Sequence, residues 1–312
     1  MKLERKDLLG IRDLSREETE LILNTAIPMK DVICRDIKKV PTLRGKAMVT
    51  VFYENSTRTR TSFELAGKYL SADTVNLSVS TSSVQKGESL RDTIKTIEVM
   101  GFDLMVMRHA MSGTPHYVAR NTRMRVINAG DGANEHPTQA LLDMYTIKEK
   151  KGTLEGLKVA IVGDILHSRV ARSNIYGLSK FGCDIRVVGP ATLMPPDVEK
   201  LGVKSYYSLD EAINGVDVIN ILRIQRERQV SGLFPSLDEY AQLYMLSPQT
   251  LARAKDDVLV LHPGPINRGV EISSELADSA QALINEQVTN GVAIRMALLF
   301  LMMGGGRDEI TY

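Results

Sequence analysis

Short apolar runs rich in β-branched residues alternate along the chain with longer stretches whose apolar positions recur three and four apart. The first pattern predicts buried strands and the second amphipathic helices. Strands are predicted at 47–52, 74–79, 104–107 and 126–127, and then at 159–162, 185–188, 218–222 and 258–261. Helical stretches lie between most of them; Phe63, Ala66 and Leu70 show the spacing that follows the first strand. This alternation predicts an α/β fold, with parallel sheets covered by helices on both faces. The polar stretch 148–156, KEKKGTLEG, marks a seam. Two domains are therefore expected, each a parallel β-sheet flanked by helices. One spans 1–150 and is completed by a C-terminal helix over 285–312; the other spans 151–284.

The polar residues that break this pattern sit after strands. STRTR follows the first, SSVQKGES the second, Arg108-His109 the third and GDGANEHPTQ the fourth. In the second half GDILHSR, RIQRER and HPGPINRG do the same. Ligands of open parallel sheets bind outside the carboxyl ends of the strands. The loops thus predict one active site in a cleft shared by the two domains.

Composition narrows the partners. The 312 residues are 43% hydrophobic and 25% charged, ordinary for a globular protein, and suffice for two cores. A net charge of +1 gives no global attraction to nucleic acid or acidic membrane, so an anion site must come from local placement. The two cysteines, Cys34 and Cys183, are far apart and suggest reduced thiols, hence a cytoplasmic protein. The N-terminus, MKLERKDLLG, is charged from its start and has no signal-peptide core. The most apolar stretch, 296–303, is too short to span a bilayer and reads as a buried C-terminal helix.

The candidate chemistry is anion chemistry. Ser56, Thr57, Arg58 and Thr59 stand where a strand turns into a helix. Free N–H groups, hydroxyls and a guanidinium fork there suit phosphate oxygens, although such runs often only cap a helix. Lys86, read alone, is a surface lysine. Arg108 ends an apolar strand, so it lies at a site or is buried and paired. His136 and Gln139 of HPTQ share one helical face, with Pro137 in the first turn. A neutral imidazole at that helix start can donate to a carbonyl oxygen. Arg169 and Arg223 both follow strands and suit a substrate bearing carboxylates, with Gln225 two residues beyond. HPGP at 262–265 is a rigid turn whose Gly264–Pro265 bond is a candidate cis peptide. There is no GxGxxG, GxxxxGK[ST], HExxH or GxSxG. No dinucleotide, metal, other cofactor or covalent intermediate is expected.

Read in order, ENSTRTRTSFE, QKGES, MRH, DGANEHPTQALLD, RIQRER and HPGPINRGVEI resemble the aspartate/ornithine carbamoyltransferase family across nearly the whole chain. STRTR and HPTQ mark the wider family. RIQRER and HPGPINRG are similar to its aspartate-specific members, and the HCLP and SMG motifs usual in the ornithine branch are absent. The resemblance implies transfer of a carbamoyl group from carbamoyl phosphate to L-aspartate, the committed step of pyrimidine synthesis. It implies that Ser56, Thr57, Arg58 and Thr59 cradle the phosphate, and that Arg60 is structural. Thr59, Arg108 and His136 would polarise the carbamoyl oxygen, Gln139 would hold the carbamoyl nitrogen, and the backbones of Gly264 and Pro265 would accept from it. Arg169, Arg223 and Gln225 would clamp the aspartate carboxylates, and Glu54 would tie the arginines. Lys86 and Ser82 would reach a neighbouring chain's site, which implies a homotrimer. The alternative is a carbamoyltransferase of the same fold acting on another amine, such as ornithine, putrescine or an acylated ornithine, and the resemblance leaves open whether regulatory chains or a dihydroorotase join the chain.

Overall fold

Met48, Val49, Val51 and Phe52 place bulky side chains on both faces of one short run, and Ala47–Phe52 is accordingly a strand, β1, buried on both sides. The computed structural model describes residues 3–78, 88–224 and 236–304. The chain divides into two units, Met1–Leu142 with Val288–Tyr312, and Asp143–Gln287.

The first unit opens with helix α1, Arg16–Cys34, started by a capping box in which Ser15 and Glu18 satisfy each other's backbone N–H groups. After β1 come α2 (Thr57–Tyr69), β2 (Asp73–Ser78), α3 (Leu90–Val99), β3 (Leu104–His109), α4 (Thr114–Arg120) and β4 (Arg125–Asp131). The sheet order is β2-β1-β3-β4, every pair parallel. Val49, Val51, Ile94, Ile97, Met105 and Val126 form one core cluster under it. Gly67 lets α2 approach closely: a Cβ there would lie 2.4 Å from the Thr74 methyl and 2.9 Å from the Met48 sulfur.

Helix α5, Pro137–Lys151, carries the chain into the second unit. There β5 (Lys158–Val162), α6 (Arg169–Ser179), β6 (Asp184–Val188), β7 (Lys204–Tyr206), α7 (Leu209–Ile213) and β8 (Val218–Ile221) follow in order. Next come α8 (Leu237–Tyr244), α9 (Pro248–Leu251), β9 (Leu259–Leu261) and α10 (Ser274–Ala277). This sheet runs β7-β6-β5-β8-β9, again all parallel. Its core includes Val162, Ile219, Ile221, Val260 and the fully buried Tyr240. Helix α11, Ile284–Leu299, returns to the first unit and continues as a π-helical turn, Phe300–Gly304.

Each unit is a parallel sheet flanked by helices, as the alternation implied. β1 has the expected bounds, while the other strands gained or lost a residue or more at an end, most at β4, where the polar residues Asn128 and Asp131 are part of the strand. The sequence reading missed β7, because KSY is three residues long and lies at a sheet edge, where little hydrophobic pattern is required. It also measured only the most apolar part of the last helix. Ile284–Gly304 spans 21 residues and passes a length-and-hydropathy test for a membrane span, yet 72% of that apolar window is buried inside the protein, so it is used as core.

Candidate active site

In the first unit every strand is parallel, so the loops after β1, β3 and β4 emerge at one edge of the sheet. After β1, Ser56 occupies the N-cap of α2 in an extended conformation, and its hydroxyl makes no cap hydrogen bond. The first intrahelical bond runs from the Arg60 N–H to the Ser56 carbonyl at 3.2 Å. The Thr57, Arg58 and Thr59 N–H groups precede it and head the helix dipole. Thr57 and Arg58 are exposed there and Thr59 is buried.

Arg108 lies on β3, paired in register with Phe52 of β1. It is only 9% exposed, and its Nη2 donates to Glu54 Oε1 at 2.7 Å. Its Nη1 donates to the Ala129 carbonyl at 3.3 Å. That carbonyl is within reach because β4 carries an extra residue there: the register passes from Met107↔Asn128 to His109↔Asp131. Such bulges re-aim groups at sheet ends. Gly130 supplies the positive φ of 116°. The neighbouring His109 accepts from the Met111 N–H at 2.9 Å and packs on Tyr53 with ring centroids 4.8 Å apart. Burial pushes its pKa below the usual histidine range.

His136 and Gln139 are buried at the start of α5. The His136 carbonyl accepts from the Gln139 and Ala140 N–H groups at 3.0 and 3.3 Å, so the histidine stands at the helix N-terminus. The turn before it is built on Asp131, a fully buried carboxylate. Asp131 accepts from the Asn128 side chain at 2.7 Å, the Glu135 N–H at 3.2 Å and the Gly113 N–H at 2.7 Å. Glu135 in turn accepts from the Ile11 N–H at 2.7 Å. The sequence reading assigned none of Asn128, Asp131 and Glu135. Their signal was polar residues at the end of an apolar strand.

In the second unit the strands are again parallel, so the β5, β8 and β9 loops share an edge. Arg169 is the first residue of α6 and is 3% exposed; Ser168 caps that helix by accepting from the Ala171 N–H at 3.1 Å. Arg223 follows β8 and is half-buried. After β9 the Gly264–Pro265 bond is cis, with Gly264 at φ 59°. Ser82, Lys86 and Gln225 lie outside the described residues. The structure thus brings Ser56, Thr57, Arg58, Thr59, Arg108, His136 and Gln139 to one sheet edge, and Arg169, Arg223, Gly264 and Pro265 to the corresponding edge of the other unit. The first set suits a phosphate and an adjacent carbonyl; in the second the two arginines suit carboxylates, and the Gly264 and Pro265 carbonyls can accept from an amide nitrogen.

Residues 6–149 match the family model of the carbamoyl phosphate-binding domain of aspartate/ornithine carbamoyltransferases. Residues 155–302 match that of the Asp/Orn-binding domain. Over 312 residues, the full length of both chains, the sequence is 98% identical to the aspartate carbamoyltransferase catalytic subunit of Syntrophomonas wolfei. A crystal structure of aspartate transcarbamoylase from Trypanosoma cruzi, in complex with carbamoyl phosphate and aspartate, is similar with a TM-score of 0.88 at 31% identity, covering 95% of this chain and 96% of that one. Ornithine carbamoyltransferase from Pyrococcus furiosus is similar with a TM-score of 0.86 at 28% identity, covering 98% and 100%. The fold is therefore common to both acceptor types and does not by itself select the acceptor.

Proposed function

The chain belongs to the aspartate/ornithine carbamoyltransferase family, and on that premise we propose how its residues carry out aspartate carbamoylation. The reaction moves the carbamoyl group of carbamoyl phosphate to the α-amine of L-aspartate, giving N-carbamoyl-L-aspartate and phosphate for pyrimidine synthesis. The observation that carries the acceptor is the 98% identity, over the full length, with an aspartate carbamoyltransferase catalytic subunit. The buried Arg169 with Arg223 agrees with it, because two guanidinium groups attract a dicarboxylate and repel a cationic side chain.

In this reading Ser56, Thr57, Arg58 and Thr59, with the α2 N–H groups, hold the phosphate. Thr59, Arg108 and His136 donate to the carbamoyl oxygen, Gln139 holds the carbamoyl nitrogen, and the Gly264 and Pro265 backbones accept from it. Arg169, Arg223 and Gln225 bind the aspartate carboxylates. The amine attacks in its neutral form, and negative charge grows on the carbamoyl oxygen as the tetrahedral species forms. Donors already fixed at that oxygen stabilise it, and removing one such donor typically costs about 3–4 kcal/mol. Glu54 keeps Arg108 aimed. The departing phosphate takes the amine proton, so no protein base is needed. Orientation of the two substrates is the other large contribution. We further propose a cytoplasmic homotrimer in which Lys86 and Ser82 complete a neighbouring chain's site.

The deciding experiment is a colorimetric ureido assay with carbamoyl phosphate and, in parallel, L-aspartate, L-ornithine and putrescine. Product with aspartate alone is expected; faster carbamoylation of ornithine would overturn the acceptor assignment. Arg58 is exposed, so Arg58→Ala should fold normally and lose roughly 100- to 1000-fold in kcat. Near-normal turnover would remove the phosphate cradle from the mechanism.

A further inference from the structure

His262 and Glu271 lie at the HPGP turn, 1% and 0% exposed, and the reaction just described uses neither. His262 Nδ1 accepts from the Gly264 N–H at 2.8 Å. That nitrogen is therefore bare, and the ring proton sits on Nε2, which faces Glu271 Oε1 at 3.1 Å. Glu271 also accepts from the Asn267 N–H at 2.6 Å and from the Asn267 side-chain amide at 3.1 Å. The same amide donates to the carbonyl of Ile224, the residue after Arg223, at 3.2 Å.

From the other side of the histidine the chain of bonds continues inward. The His262 N–H donates to Gln287 Oε1 at 2.9 Å, and Gln287 Nε2 donates to Asp143 Oδ1 at 2.7 Å. Asp143 Oδ2 accepts from Asn174 at 2.8 Å and from Asn220 at 3.3 Å. Asn174 is on α6, the helix that begins with Arg169, and Asn220 is on β8, just before Arg223. Asp143 and Gln287 are the first and last residues of the second unit. One buried network thus joins three segments that carry proposed substrate groups: α6 and the β8 end, with Arg169 and Arg223 for aspartate, and the HPGP turn, with its backbone acceptors for the carbamoyl nitrogen.

Two buried carboxylates in a core are costly, and apolar residues of the same volume would stabilise the fold at least as well. Among the described residues Asn174 Oδ1 and Asn220 Oδ1 accept no hydrogen bond, but His262, Glu271 and Asn267 are bonded in series, and a buried polar cluster bonded in this way fixes a unique geometry instead. We propose that His262 and Glu271 are positioning residues that hold the HPGP turn, with its acceptors for the carbamoyl nitrogen, at a fixed spacing from the Arg223 segment that binds aspartate. His262 holds the turn by accepting from Gly264. Glu271 holds His262 in the tautomer that can accept, and through Asn267 it ties the turn to Ile224.

The proposal rests on the aspartate reading, and the test separates the two. Steady-state kinetics are measured for the wild type, His262→Gln, His262→Asn and Asn267→Ala, varying aspartate and carbamoyl phosphate in turn. A wild type that does not carbamoylate aspartate refutes the reading itself. Otherwise His262→Gln, which reaches Glu271 but cannot accept from Gly264, should raise the aspartate KM by at least tenfold. Its carbamoyl phosphate KM should rise as well, because the released turn also carries the Gly264 and Pro265 backbones that accept from the carbamoyl nitrogen. His262→Asn, whose Oδ1 can accept from Gly264, should recover part of the loss. Asn267→Ala leaves the buried pair intact and should raise the aspartate KM severalfold; it decides the matter where a His262 variant does not fold. A wild-type aspartate KM in Asn267→Ala and in the folded His262 variants overturns the proposal. So does a fall in active protein with both KM values unchanged, which is the signature of a purely structural role.

Discussion

At the scale of single residues, the arrangement on which the proposed mechanism depends most is a charge held in place by another charge. Arg108 is nearly buried at the end of a strand, and a guanidinium there is tolerable because Glu54 and the Ala129 carbonyl take its hydrogen bonds. In the proposed mechanism Glu54 is therefore a positioning residue, and Glu54→Gln keeps its shape while removing its charge. A hydrogen bond to a charged group is worth about 1.5–3 kcal/mol, so kcat/KM for carbamoyl phosphate should fall roughly 10- to 100-fold. An unchanged kcat/KM in the variant would show that Arg108 needs no such partner. The conservative exchange should leave the urea midpoint near wild type, which separates this effect from unfolding.

At the scale of elements, two features hold the second sheet in register. Gly189 follows β6, and a Cβ at that position would lie 2.2 Å from the Gly163 carbonyl oxygen at the end of β5. Backbone cannot yield as a flexible side chain does. Gly189→Ala should cost about 1–3 kcal/mol or more, read as a lower midpoint in urea unfolding. A midpoint equal to wild type would mean that the strands are free to part. At the opposite edge, Asp217 precedes β8 and accepts from the Lys158 N–H at 2.8 Å and from Lys255 at 2.5 Å. Burial pushes its pKa up, but Lys255 and the Lys158 N–H outweigh this and bring it below the usual carboxylate value. A folded pKa below the unfolded one, about 3.9, means stability that is present above that pH and lost as the pH falls through the folded value. Wild type should therefore exceed Asp217→Asn in stability from neutral pH down to about 4, with the gap closing below it. A gap independent of pH would remove the ionic part of the argument.

At the scale of the whole molecule, the assembly is open to a direct test. If Lys86 serves a neighbouring chain, then Lys86→Ala and Arg169→Ala damage different chains' contributions to one site. Mixing the two inactive proteins and letting them reassemble should restore activity, since some sites in a hybrid receive an intact residue from each parent. No recovery in hybrids confirmed by mass would refute shared sites.

What the sequence determined by itself was whatever depends on local order. The alternation of apolar runs and helical spacing specified two parallel α/β sheets, since a strand buried on both faces must be apolar throughout and a covering helix must be apolar on one side. The motifs after the strands specified which edge of each sheet carries the candidate residues, since chain direction alone puts every such loop of a parallel sheet at one edge. KSY gave too little pattern to register as a strand. The tertiary structure alone decided which polar residues meet. Asp143 looks in sequence like an interruption of the run ALLDMYTI, yet it accepts from Gln287, which is far along the chain. Asp131, Glu135 and Glu271 are likewise ordinary surface-type residues until folding buries them and gives them backbone N–H groups to accept. Hydrophobic burial follows periodicity and can be read along the chain. A buried hydrogen bond needs one donor and one acceptor within about 3 Å, and sequence distance carries no information about which pair that is.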